Sequence, residues 1–94
     1  MPIQDLKQEI AHAPEQPGVY LFLRLAGAPV YVGAAAVLRA RLPSDLGAWG
    51  ASPRIDALLG DAEALEYVVT DSAVDALVLE SNLIKQRLPR YNIR

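Results

Sequence analysis

Two short apolar runs in this chain each carry a tyrosine: Gly18-Val19-Tyr20, and Val30-Tyr31-Val32-Gly33 beginning eleven positions after Val19. At that separation the runs suit the two arms of a hairpin, which would present two phenols together. Far downstream, Leu79-Glu80-Ser81-Asn82-Leu83-Ile84-Lys85 adds a carboxylate, and Pro89-Arg90-Tyr91-Asn92-Ile93 adds an amide. Between them, Arg41 follows Tyr31 closely enough for its guanidinium to bind a phosphate at two points near a strand-end phenol. Phenols, a carboxylate, an amide and a guanidinium are the ingredients of proton transfer, cation binding and phosphate recognition.

Each of these residues also has an ordinary structural reading. Strand tyrosines are commonly half-buried packing residues, and most helical arginines are simply exposed. Arg39, beside Arg41, points elsewhere on its helix. Glu80 is harder to dismiss. On a helical wheel it falls in the arc of Ala73, Ala76, Leu77, Leu83 and Ile84, the side expected to face the core. An unpaired buried carboxylate is costly, so Glu80 must pair with a cation such as Arg87 or Arg41, hold a metal, or open into a cleft. His12 has no second histidine to pair with and reads as a surface residue. Asp71 and Asp75 read as turn and cap residues, and Trp49, in a glycine-containing loop, is assigned no role.

The elements that must position these groups follow from local signals. Asp5 to His12 reads as a short helix, ended by Ala-Pro-Glu-Gln-Pro-Gly. Val19 to Leu25 and Val30 to Gly33 read as strands joined by Ala26-Gly27-Ala28-Pro29. A short helix is expected from Ala34 to Leu42 with Pro43 as its stop, then a loop from Ser44 to Pro53. A further helix from Pro53 to Leu59 should close at Gly60, and a third strand should lie within Glu63 to Thr70. Ser72-Ala73-Val74-Asp75 has the spacing of a reciprocal helix cap, so a helix should run from there to about Arg87, with Pro89 beyond its end.

Ninety-four residues suffice for one domain with a modest core, and residues 1–94 are read as one. Without cysteine there is no disulfide, thiolate metal site or nucleophilic thiol. No stretch is long enough to span a bilayer, so no membrane partner is expected and the cytoplasm is the expected setting. A formal charge of −2 argues against a whole surface that clamps nucleic acid. The cations nevertheless gather in two groups, Arg39, Arg41 and Arg54, and Lys85, Arg87, Arg90 and Arg94, which leaves room for a one-sided basic footprint.

Taken in order, Gly18-Val19-Tyr20, Tyr31-Val32-Gly33, Leu38-Arg39-Ala40-Arg41-Leu42, Leu79 to Lys85 and Pro89 to Ile93 resemble the GIY-YIG nuclease family, most nearly its excision-repair branch. The resemblance covers residues 17–93. It implies a small α/β (α+β) fold, a three-stranded antiparallel sheet flanked by helices, and a metal-dependent DNA endonuclease that hydrolyses a phosphodiester bond, as in 3′ incision during nucleotide excision repair. By the same resemblance Glu80 would hold a single Mg2+ or Mn2+, Tyr31 would deprotonate water, and Arg41 would stabilise the phosphate. Tyr20 would order the attacking water and Asn92 would buttress the site. Arg39, Arg41, Arg54, Lys85 and Arg90 would contact DNA, brought by a targeting protein or by other domains of a repair complex.

Two positions depart from the family pattern. Ala34 stands where the repair nucleases usually carry lysine, and Asp45 where a second tyrosine is expected. A phenol with a pKa near ~10 is a weak base at neutral pH, and a neighbouring cation would help it ionise. These departures support an alternative, a non-catalytic module of the same fold that binds nucleic acid or protein.

Overall fold

The computed structural model describes residues 3–45 and 52–92. Trp49 and most of the loop expected around it lie outside that range, as does the side chain of Asp45. The chain runs α1 (Ile3–Ala11), β1 (Gly18–Leu23), a single 3-10 turn (Leu25–Gly27), β2 (Pro29–Ala35), α2 (Leu38–Asp45), α3 (Pro53–Asp61), β3 (Ala64–Val69) and α4 (Ala73–Arg87). The strands form one antiparallel sheet in the order β2-β1-β3.

The expected hairpin is present, with Tyr20 opposite Gly33 and Phe22 opposite Tyr31, and a bulge between Phe22 and Leu23 shifts the register. Both motif glycines are there because something lies against them. A Cβ on Gly33 would overlap the Tyr20 ring, and one on Gly18 would run into the Val68 carbonyl and meet Leu38 Cδ1 at 3.0 Å.

Alternation along the strands divides the interior in two. On one face Tyr20, Phe22, Leu38, Leu42, Leu58, Leu59 and Leu65 form the larger cluster. On the other, Val19 and Val32 pack with Ala76 of α4, flanked by Leu21, Ala34, Leu79, Leu83 and Ile84. Full burial of a side chain such as Phe22 or Leu38 contributes about 1.5–3 kcal/mol.

Several boundaries differ from the sequence reading. β2 continues through Ala35, so α2 begins at Leu38 rather than Ala34. Pairing decides this: Ala34 and Ala35 lie opposite Val19 and Gly18, and the ladder outweighs alanine's helix propensity. Pro43 sits inside α2, and Gly60 lies within α3, which runs on to Asp61. Of the reciprocal cap expected at α4, the Ser72 half is present, with Asp75 N donating to Ser72 Oγ at 3.1 Å. Leu88 ends α4 in the left-handed region (φ 46°, ψ 57°), turning the chain back toward β2.

Candidate functional site

Glu80 lies on α4, which packs across β2 and β1. The arc drawn from the wheel is partly corrected. Ala76 is buried and Leu83 and Ile84 are partly buried, but Ala73 is exposed and Leu77 is 58% exposed. The sheet stops at β2, so this flank of the helix overhangs the strand and borders solvent. Ala73, Leu77 and Glu80 from α4, Ala34, Ala35 and Ala36 at the end of β2, and Arg41 from α2 line a cleft of ≈ 270 Å³. Of the three outcomes open to Glu80 in the sequence, it opens into a cleft.

Neither proposed arginine pairs with it. Glu80 Oε2 instead accepts from Ala34 N at 2.9 Å, and among the described residues Glu80 forms no ion pair. The amide directs one oxygen at the strand and leaves the carboxylate with remaining acceptor capacity. No group of three or more histidine, aspartate or glutamate side chains that could hold a metal occurs among the described residues. A single carboxylate at an open cleft suits Mg2+, which keeps several waters and binds through one or two carboxylates together with substrate phosphate oxygens. The chemistry of the cleft fits that ion, since Glu80 offers it one carboxylate with acceptor capacity to spare.

The two phenols are adjacent, their ring centroids 6.1 Å apart with planes inclined at 35°. Tyr20 is almost fully buried and also meets Phe22 edge-on at 6.1 Å, whereas Tyr31 is half-buried. Both belong to the face packed toward α2 and α3, while Ala34 belongs to the face under α4. Glu80 itself meets β2 at its outer edge, through the Ala34 amide.

Asn92 reaches the same strand from outside. Its Oδ1 accepts from Val32 N at 2.8 Å and its Nδ2 donates to Val32 O at 2.9 Å, between Tyr31 and Gly33. The side-chain amide satisfies backbone groups that an edge strand would otherwise leave open. Asn92 thus ties the tail to the outer edge of β2.

The remaining expected DNA contacts are unequal. Lys85 is exposed on α4, and Arg41 is exposed where it borders the cleft. Arg39 donates through Nε to Ala13 O at 2.8 Å and pairs with Glu15 at 2.5 Å. Arg54 donates to Tyr91 O, and Arg90 lies 3.6 Å from Asp61 Oδ2. These three cations already tie parts of the fold together, which counts against their availability to DNA.

Asp61 and Tyr91 were missed in the sequence. Tyr91 donates its hydroxyl to Asp61 Oδ2 at 2.5 Å, and Arg24 also stands 3.6 Å from that oxygen. The phenol's hydrogen bond is the main reason that the Asp61 carboxyl is held below its ordinary pKa, assisted by Arg24 and Arg90; the same bond pushes Tyr91 up. The only sequence signal was an aromatic residue immediately before Asn92.

Comparison with known proteins agrees with the fold. The UvrC-like GIY-YIG domain family matches residues 16–93. UvrABC system protein C of Moorella thermoacetica is 45% identical over 89 residues, spanning 95% of this chain and 14% of that protein. Its counterpart in Nitrosomonas europaea is 46% identical over 89 residues, 95% of this chain and 15% of that protein. The chain thus covers about one-seventh of the length of these curated relatives. The magnesium-bound crystal structure of the GIY-YIG N-terminal endonuclease domain of UvrC from Thermotoga maritima superposes with a TM-score of 0.84 at 36% identity, covering 99% of this chain and 100% of that one. An asparagine-to-alanine point mutant of that domain, bound to its catalytic divalent cation, superposes with a TM-score of 0.85, also at 36% identity, covering 100% of both chains.

Proposed function

Because this chain belongs to the UvrC-like GIY-YIG domain family, we propose that it is a metal-dependent endonuclease module that hydrolyses a phosphodiester bond of DNA, in the manner of 3′ incision in nucleotide excision repair. The observation that carries this reading is Glu80, held by the Ala34 amide at a cleft that it shares with Arg41. A bound divalent cation would supply Lewis acidity and stabilise the leaving oxygen. Glu80 would hold that ion, and Arg41 would take the charge that grows on the phosphate. Tyr31, the more exposed phenol, would accept the proton of the attacking water, which the neighbouring Tyr20 would help to order. Asn92 would keep β2 in register so that these groups stay aligned. We assign the 94 residues to one domain, working on DNA in the cytoplasm with a targeting protein or further domains of a repair complex.

A second reading is favoured by one observation. The cleft floor is formed by Ala34, Ala35 and Ala36 and brings no cation close to Tyr31 from that stretch. A module of this kind would bind nucleic acid without cutting it. Nicking of supercoiled plasmid in Mg2+ and then Mn2+ separates the two. Metal-dependent nicking by the natural chain, reduced by at least roughly a hundredfold in Glu80→Gln, is expected for the endonuclease. Equal nicking by both proteins, or none by either, would reject it.

A further inference from the structure

Four hydrogen-bonding groups along the outer edge of β2 are satisfied by groups from the last third of the chain rather than by another strand. Val30 O accepts from Tyr91 N at 2.9 Å. Val32 N donates to Asn92 Oδ1 and Val32 O accepts from Asn92 Nδ2. Ala34 N donates to Glu80 Oε2. Glu80 is thus the last rung of a substitute strand whose first rungs are Tyr91 and Asn92. If β2 slides or twists at this edge, the amide that aims the Glu80 carboxylate moves with it.

Helix α3 anchors the tail that supplies the first rungs. Besides its bond to Asp61, the Tyr91 hydroxyl lies 3.2 Å from Ala57 O, and Arg54 donates to the Tyr91 carbonyl. Asp61 also draws in Arg24 and Arg90, and the Arg90 guanidinium sits 5.8 Å from the Tyr91 ring centre. A phenol donating to an ionised carboxylate makes one of the stronger kinds of hydrogen bond. Productive metal geometry tolerates displacements of only about 0.5 Å, so the anchoring of this tail bears on the site although it never touches the cleft.

We infer that Asp61 and Tyr91 form a latch whose function is positional: by fastening the C-terminal tail to α3 they hold the edge of β2, and through the Ala34 amide they orient Glu80 for the metal. The inference rests on the endonuclease reading and deepens it. Neither residue touches substrate.

The test compares Tyr91→Phe, Asp61→Ala and the double variant with the natural chain. Three quantities are read: backbone amide resonances and exchange rates, Mn2+ affinity, and plasmid cleavage resolved into kcat and KM. Tyr91→Phe removes one hydroxyl and keeps the ring, which guards against simple misfolding. The latch predicts that the Val32 and Ala34 amides shift and exchange faster, while the Thr70 amide, bonded to Pro17 O on the far side of the sheet, is unchanged. It also predicts Mn2+ affinity weakened roughly three- to tenfold and kcat lowered with KM preserved. The double variant should be no worse than Asp61→Ala. Unmoved Val32 and Ala34 amides, or moved amides with unchanged Mn2+ affinity, would overturn the latch. Failure of the natural chain to cut DNA would instead reject the endonuclease reading, leaving the latch to be judged on the amides and the Mn2+ affinity.

Discussion

At the scale of single residues, the tyrosine motifs depend on the glycines beside them. The Tyr20 ring packs closely against Gly33 across the β1–β2 pair, with its centroid 6.1 Å from that of Tyr31. Gly33→Ala should therefore cost about 1–3 kcal/mol through overpacking. Because Tyr20 is buried on every side, its ring has nowhere to swing. Gly18→Ala should cost at least as much, since the obstacle there is β3 backbone rather than a side chain. Urea unfolding midpoints for both variants check this, and a neutral Gly33→Ala would mean that the ring has room to move. Ala34 shows a different economy: its side chain matters less than its N–H, which aims Glu80 and would be retained by any residue except proline.

At the scale of elements, α1 is docked on β3 by Tyr67, whose hydroxyl donates to Glu9 O at 2.9 Å. Burial, and secondarily the negative Glu9 side chain, pushes the Tyr67 phenol up from 10.0 to about 12. The folded protein thus keeps its proton at pH values where the unfolded chain has released it. This contribution is fully present below pH 10, declines as pH rises from 10 to about 12, and is absent above. Partial solvent screening makes the effect smaller than the shift alone suggests. Stability followed by circular dichroism should fall across that window, and the fall should be shallower in Tyr67→Phe. An identical alkaline profile in the two proteins would place the loss elsewhere.

At the scale of the whole molecule, a chain with 9 lysines and arginines against 11 acids cannot rely on bulk charge to hold DNA. Arg24, Arg39, Arg54 and Arg90 are further engaged by Asp61, Glu15 and the Tyr91 carbonyl. Binding of the isolated chain to duplex DNA should therefore release few counterions. A plot of log affinity against log salt should have a slope of roughly −2 to −3, corresponding to two or three phosphates. Fluorescence anisotropy across a salt series gives the slope directly. A value steeper than roughly −5 would show that the tied arginines rearrange onto DNA. Weak binding of this kind suits a module that is brought to its substrate by something else.

Local rules made the hairpin, the cap at Ser72 and the class of each helix and strand readable in advance, because periodicity, proline and turn residues act over a few positions. The isolated carboxylate of Glu80 was readable for a related reason: its place on the wheel is a property of α4 alone. Only the tertiary structure decided how far β2 extends, since pairing with β1 overrides the helix preference of Ala34 and Ala35. It also decided that Leu77 borders a cleft, because α4 overhangs the end of the sheet. The edge ladder could not be read in the sequence at all. Val32 and Asn92 are 60 positions apart, Ala34 and Glu80 are 46, and Asp61 and Tyr91 are 30. Hydrogen bonds over such separations leave no periodic trace in the chain; they exist because folding brings an open strand edge, a returning tail and a helix end to one place.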